Sequence, residues 1–369
     1  MISTTDILLF LFLASTAVQL FYWLFIFSRL AFYRQPNAQP TTGKEGVSVI
    51  ICARNEAENL RQNLPYFLSQ DYPAYEVIVV NDNSSDKTLE VLLDFQKKTP
   101  ILRLVSITAD TAPGKKEALN KGIEAARFEI LLLSDADCRP ASSMWVEHMQ
   151  AFVRGREKIG LGYSPYYRGK GILNAFIRFE TVYSATQFLS FALMGLPYMG
   201  VGRNLVYRKS LFHESGGFAA HADVASGDDD LFINQAATRH NTQVILSPLA
   251  FVYSNPKYTW EGYYHQKSRH LTTGARYRLV HQLALGLLSL SHFGHYAFGF
   301  ALILFHNVDL IVLLNYLARI GVAFAMYALI LRKLHDTSLI RWVLLLDALY
   351  VCFYLVFAPA LFKSKESWK

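Results

Sequence analysis

The chain predicts an α/β domain, a mostly parallel sheet flanked by helices, tethered by membrane-spanning helices at both ends. Three observations carry that expectation. Of 369 residues, 52% are apolar and 18% charged, slightly oilier than an average soluble domain. The apolar residues gather in long runs near the two ends, as bilayer-crossing helices require. Between those runs, short β-rich stretches alternate with helix-period stretches, the pattern of right-handed crossovers in a parallel sheet.

Residues 7–27 (ILLFLFLASTAVQLFYWLFIF) form a 21-residue run whose most polar member is Gln19. At ~1.5 Å per residue, such a helix covers the ~30 Å of bilayer hydrocarbon. It is too long for a signal-peptide core, with no basic stretch before it and no small-x-small site after it, so 1–28 reads as a retained anchor. Asp6 precedes the run while Arg29 and Arg34 follow it, which places the next domain in the cytoplasm. Pro36, Pro40, Gly43 and Gly46 mark a linker over 29–45.

The central domain is expected over 46–281. Strand-like runs occur at 47–53, 76–81, 101–107 and 129–133, apolar nearly throughout as strands buried on both faces should be. Helix-period stretches fall at 56–70, 86–98 and 115–126, the first with a kink at Pro65 and the last with Ala118, Leu119, Gly122, Ile123 and Ala126 on one face. In such sheets ligands gather at the carboxyl ends of the strands, and the polar clusters lie there. The first strand ends in Ala53-Arg54-Asn55-Glu56, the second in Asn81-Asp82 and on to Asp86, and the fourth in Ser134-Asp135-Ala136-Asp137. Asp86 reads as a helix cap. Asp135 and Asp137, two hard carboxylates at i and i+2, suit Mg²⁺ or Mn²⁺ together with a diphosphate.

Farther along come Gly200-Val201-Gly202-Arg203-Asn204, then Gly227-Asp228-Asp229-Asp230, then Gln266-Lys267-Ser268-Arg269-His270. The aspartate run could serve as a helix N-terminus, a role that suits Asp229 better than Asp228. The aromatic segment 171–199 is either an interfacial helix pair bordering an acceptor entrance or packing against the membrane part.

From 282 onward the chain is oily again, with segments near 283–305, 310–331 and 341–362 long enough to cross. His306, Asn307 and Asp309 make a tight turn; Arg332, Lys333 and Arg341 mark a cytoplasmic connection. Three crossings would put Lys363, Lys365 and Lys369 outside, against the positive-inside rule. Either the tail is an exception or one segment lies in the interface. The excess of Lys+Arg (36) over Asp+Glu (29), net +7, is what membrane flanks attract and does not call for nucleic acid. Three scattered cysteines, Cys52, Cys138 and Cys352, argue against a disulfide framework or a zinc site.

The ordered set SVIICARNE, VIVVNDNSSDKT, PGKKEALNKGI, LLLSDADC, GVGRNLVYRKS, SGDDDLF and QKSRH resembles the family 2 inverting glycosyltransferases. It is most similar to their membrane-bound branch of hyaluronan, chitin, cellulose and ceramide glucosyl synthases. The resemblance covers roughly 46–275 and implies a glycosyltransferase A-type fold. It also implies that Ala53, Arg54, Glu56 and Asp82 line the nucleotide pocket, with Lys115 near the diphosphate. Asp135 would approach ribose and metal, Asp137 would hold the metal, and Asp228 would be the catalytic base; Gln266 and Arg269 would match the Q-x-x-R-W motif and bind the nucleotide-sugar, the Arg facing the diphosphate. Three positions depart from the family pattern: Asn81 for a first Asp, Gly227 for the acid before the base, and His270 for the Trp of Q-x-x-R-W.

A nucleotide-sugar already carries its leaving group, so no protonating acid is needed, unlike in glycosidases. The transfer needs a base for the acceptor hydroxyl, a cation on the diphosphate, and positioning. The expected activity is therefore a metal-dependent, inverting transfer from a UDP-sugar or similar donor to a lipid-linked or other membrane-held acceptor. The expected location is an inner membrane if the source is bacterial. A processive polysaccharide synthase and a catalytically silent scaffold are the alternatives. A solute transporter would leave the α/β region without a role.

Overall fold

A computed structural model of the chain describes residues 3–36, 44–107, 114–156, 158–224, 226–306 and 310–359. Parts of the linker, the turn at Asn307 and Asp309, and the lysines of the tail lie outside the described residues.

The β-rich runs fold into a seven-stranded mixed sheet. Its strands are β1 (Val47–Ala53), β2 (Tyr75–Asp82), β3 (Leu102–Ile107), β4 (Ile130–Asp135), β6 (Ile159–Gly162), β7 (Leu205–Arg208) and β8 (Thr242–Ile245), while β5 (Cys138–Pro140) pairs with β9 (Val252–Ser254) in a separate ribbon. The order is β3-β2-β1-β4-β7-β6-β8. The four anticipated strands are mutually parallel, and β7 runs antiparallel to both β4 and β6. The chain builds outward from β1 through β2 to β3, then crosses back to lay β4 on the other side of β1. The reversal opens a crevice at the carboxyl ends of β1 and β4, where Arg54 and Asp135 stand.

All seven residues of β1 are buried, because helices cover both faces. Helix Ala57–Leu68 runs unbroken through Pro65. Helix Lys115–Ala125 buries the anticipated Ala118, Leu119, Gly122 and Ile123. Gly122 has a packing reason: a Cβ there would stand 2.6 Å from Ile50 Cγ2, so the helix lies against the sheet only without one. As anticipated, Asp86 is a cap. Its carboxylate accepts from the N–H groups of Ala57 (3.2 Å) and Thr88 (2.9 Å), the first residues of two helices.

Among the described residues, three helices are long and apolar enough to cross a membrane: Thr4–Ala31, Leu279–Phe305 and Leu310–Lys333. The last anticipated span, 341–362, is a shorter helix, Val343–Phe357, within the described residues. Its fifteen residues cover about 22 Å at 1.5 Å each, less than a full hydrocarbon thickness. The helices are joined by polar groups as well as by packing. Gln19 Nε2 donates to Leu288 O (3.1 Å) and Ser291 Oγ (2.9 Å), and Thr16 Oγ1 meets His295 Nδ1 at 2.8 Å. Arg319 and Asp347 form an ion pair with both side chains at most 1% exposed, ringed by Tyr296, Tyr327 and His292.

The aromatic segment is one 23-residue helix, Gly171–Leu193, not a pair. Phe176, Phe179 and Tyr183 pack on Tyr350, Phe353 and Tyr327 of the membrane helices. Arg178 is fork-paired with Asp336 in the connection before the last helix. Glu180, Thr181, Ser184 and Gln187 face a cavity instead. The packing of this helix against the membrane helices is the second of the two readings; its other face borders the cavity.

Candidate active site

A cavity of about 1320 Å³ begins at the carboxyl edge of the sheet and runs into the membrane helices. It exceeds the ~300–1,000 Å³ of a typical one-ligand pocket. Of the residues singled out in the sequence, Arg54, Glu56, Lys115, Asp135, Asp137, Asp228, Gln266 and Arg269 line it. Ala53 and Asp82 do not. Ala53 is sealed in β1 opposite Asn81. The Asp82 carboxylate accepts from Gly114 N–H (3.1 Å) in the turn before helix Lys115–Ala125, and burial raises its pKa.

β4 continues through Asp135, so the first acid of the motif is the last strand residue and the second lies in the turn beyond. The carboxylates of Asp135 and Asp137 and the Cys138 sulfur lie within 4.8 Å of one another. Burial, then the charge of Asp135, raises the Asp137 carboxyl above its ordinary value. Cys138 Sγ donates to Asp137 Oδ1 (3.2 Å), and burial beside these acids keeps it a thiol. Two hard oxygen donors in mutual repulsion fit a divalent cation of the Mg²⁺ or Mn²⁺ type, with the cysteine as a supporting donor and not a ligand.

Lys115, the first residue of its helix, joins this pair to the aspartate run. Its Nζ lies 3.0 Å from Asp135 Oδ1 and 3.0 Å from Asp228 Oδ2. Burial pulls the ammonium pKa down, but Asp135, Asp228 and Asp229 together hold it well above the usual lysine value. Asp137 and Asp228, far apart in sequence, thus open onto one cavity.

The three aspartates of the run divide the work. Asp229 caps helix Asp230–Ala236, accepting from Asp230 N–H (2.8 Å) and from Gly202 N–H (2.7 Å). Asp230 accepts from Leu231 N–H (2.8 Å), Tyr277 Oη (2.7 Å) and Thr273 Oγ1. Only Asp228 turns its carboxylate to Lys115. Gly227 has φ +91°, and a Cβ there would stand 2.5 Å from Leu231 Cδ1. The missing acid is therefore a backbone requirement of this turn. Gly227→Ala is expected to destabilise the fold by ~1–3 kcal/mol through left-handed strain and to lower turnover by displacing Asp228, measured by chemical unfolding and initial rates.

Burial, then the charges of Asp228 and Asp230, raises Asp229 from 3.8 to about 7. The folded state thus holds this proton more tightly than the unfolded chain. The resulting stability is fully present below about pH 4 and is lost as pH rises through about 7. Thermal midpoints are expected to fall over that window, and Asp229→Asn, which keeps the side chain neutral, is expected to flatten the fall.

Helix Trp260–Leu271, capped by Thr259 on Gly262 N–H (3.1 Å), carries Gln266, Arg269 and His270 into the cavity wall. Lys267 Nζ binds Glu180 Oε1 at 2.6 Å and clamps this helix to Gly171–Leu193. His270 lines the cavity, its surface open to the cavity space though enclosed by the surrounding protein. Burial, then the neighbouring cations Lys267, Arg269, Arg203 and Lys115, pushes its pKa well down. A neutral ring therefore stands where the family pattern has an indole. Arg203, which the sequence motif leaves without a role, lines the cavity as well. Its guanidinium stacks 4.6 Å over the Tyr166 ring and donates to Ser164 Oγ (2.7 Å) and Ser164 O (3.0 Å), which fixes a permanent charge in the cavity wall.

The family model described as "Glycosyl transferase family 21" matches residues 9–369. The chain belongs to that family. The resemblance to family 2 glycosyltransferases is borne out by this match and by the relatives. Among the proteins this chain is similar to is a probable glycosyltransferase, YdaM, of Bacillus subtilis, 28% identical over 60% of this chain and 54% of that protein. Another is a beta-monoglucosyldiacylglycerol synthase of Trichormus variabilis, 34% identical over 31% of this chain and 24% of that protein. The chain spans about half the length, or less, of these relatives. Among solved structures, a mannosyltransferase of Pyrobaculum calidifontis in complex with GDP-Man and Mn²⁺ aligns with 95% of this chain and 99% of its own, at TM-score 0.61 and 18% identity. That likeness shows the shared fold.

Proposed function

We propose that the chain is an inverting glycosyltransferase that moves a sugar from a nucleoside-diphosphate sugar to a hydroxyl of a membrane-held, lipid-linked acceptor. The observation that carries this reading is the single cavity. At one end it holds the Asp135–Lys115–Asp228 bridge. At the other it is lined by Leu285, Ser289, Leu290 and Phe293 of helix Leu279–His306 and by Phe353, Tyr354 and Phe357 of the last helix. A donor with a charged diphosphate suits the first end and a lipid suits the second.

In this reading the Asp228 carboxylate takes the proton of the acceptor hydroxyl. The acceptor oxygen attacks the anomeric carbon from the face opposite the diphosphate, the new C–O bond forms as the sugar–phosphate bond breaks, and the configuration inverts. Lys115 holds Asp228 in place, and Arg269 and Arg203 supply positive charge along the wall where the diphosphate departs. Asp137 with Asp135 would hold a Mg²⁺ or Mn²⁺ ion, which neutralises charge on the leaving diphosphate when bound. Arg54 and Glu56 reach the donor side of the cavity and Gln266 the opposite wall. Ala53 and Asp82 shape the nucleotide side from behind that surface. Arg29 and Arg34 at the end of the first helix favour a cytoplasmic sheet domain.

The solved neighbour holds GDP-Man and Mn²⁺, and one relative is a glucosyldiacylglycerol synthase. The donor panel therefore includes GDP- and UDP-sugars, with a UDP-sugar the expected donor. The test is incubation of the purified protein with labelled donors and lipid acceptors, with and without EDTA. A single lipid-soluble product that requires a divalent ion is expected. A ladder of long products would replace this reading with a polysaccharide synthase, and no product from any donor would leave a silent scaffold.

A further inference from the structure

A second pocket, of about 670 Å³, lies apart from the catalytic cavity, where the sheet domain meets the connection between the last two helices. Its lining carries two guanidinium groups from separate parts of the chain. Arg168 comes from the loop ahead of helix Gly171–Leu193, and Arg341 from the turn ahead of helix Val343–Phe357. Both are exposed, and among the described residues neither has an ion-pair partner. The nearby acid, Asp336, is already held by both nitrogens of the Arg178 fork and by Ser338 Oγ (3.0 Å). The N-terminus of Val343–Phe357 has no side-chain cap, so the positive end of its dipole adds to the same field. The floor is apolar: Phe324, Ile340 and Leu344. Phe324 and Leu344 are exposed on the outer surface of the helices. Beside the pocket Trp342, 47% exposed, lies under Arg341 at 5.8 Å, an aromatic anchor of the kind found at headgroup depth.

We propose that this pocket binds an anionic phospholipid, its phosphodiester between Arg168 and Arg341 and its acyl chains along Phe324 and Leu344. Two unpaired cations above an apolar floor at the membrane boundary match a lipid headgroup better than a free anion, which would leave the floor unused. Because Arg168 belongs to the sheet domain and Arg341 to the membrane helices, a lipid held by both seats the catalytic cavity on the bilayer. The Thr337 hydroxyl lines the same wall and supplies a further hydrogen bond.

The full-length protein in detergent is titrated with dioleoylphosphatidylglycerol, dioleoylphosphatidylcholine or inorganic phosphate, and bound lipid is read by native mass spectrometry alongside the melting midpoint. Phosphatidylglycerol is expected to bind and raise the midpoint, while phosphatidylcholine and phosphate do neither. Each basic residue near an anionic surface is worth about 5-fold in affinity, so Arg168→Gln with Arg341→Gln is expected to weaken binding about 30-fold. The Arg168→Lys, Arg341→Lys pair keeps both charges and most of the affinity. Equal binding of the two lipids, protection by phosphate alone, or an undiminished affinity in the glutamine pair would each overturn the assignment. If the glutamine pair melts lower than wild type in phosphatidylcholine, the two single variants, each expected to lose about 5-fold, carry the comparison.

Discussion

Asp228→Asn is expected to lower the transfer rate about 10³-fold while leaving donor affinity unchanged, as loss of a general base does. Asparagine retains the shape and an oxygen for Lys115 Nζ, now 3.0 Å from Asp228 Oδ2, but an amide cannot take a proton from an alcohol. The cap at Asp229 and the hydrogen bonds of Asp230 are separate, so the helix that follows should keep its melting behaviour. The measurement is single-turnover transfer with donor binding by calorimetry. A variant with wild-type turnover would move the base elsewhere in the cavity, and one that lost donor binding as well would make Asp228 a binding residue.

Asp137→Asn is the second large effect, an expected loss of ~10²–10³ in turnover together with loss of any stimulation by divalent ions, comparable to removing a preorganised electrostatic contact. Asp137 is the acid whose carboxyl is raised by burial and by Asp135, and its replacement by a neutral amide leaves Asp135 as the only carboxylate of the pair. Donor titrations with Mn²⁺ present and with EDTA separate the outcomes. In wild type the ion should tighten donor binding, and in Asp137→Asn the two curves should coincide. Persisting Mn²⁺ dependence in the variant would assign the ion to other residues.

Parts of this site were legible from the chain alone because local pattern and tertiary environment agree there. β1 reads as a strand because all seven of its residues are buried between two helical layers, so burial and β preference point the same way. The polar clusters at the ends of β1 and β4 were legible for the same reason, since the strands announce where they stop. β6 was not. It is four residues, Ile159-Gly160-Leu161-Gly162, and its glycines give no period to read. It pairs because Val206 and Ile245 pack where side chains of Gly160 would be. The Lys267–Glu180 clamp, the Arg203–Tyr166 stack and the Lys115 bridge could not be read either. Each joins segments distant in sequence, and a charge names its partner only once the fold brings them together. The last helix begins two residues after the expected start, because the turns at Thr337–Leu339 and Trp342 set where helical hydrogen bonding begins, whereas apolar composition marks only a hydrophobic length.

Arg319 and Asp347 sit in different helices and satisfy one another with scarcely any exposure. Alone in hydrocarbon, either side chain costs roughly 3 kcal/mol on insertion scales. Truncation ahead of Asp347 would therefore leave Arg319 an uncompensated cation among apolar side chains, so helix Leu310–Lys333 depends on the helix that follows it for its own stability.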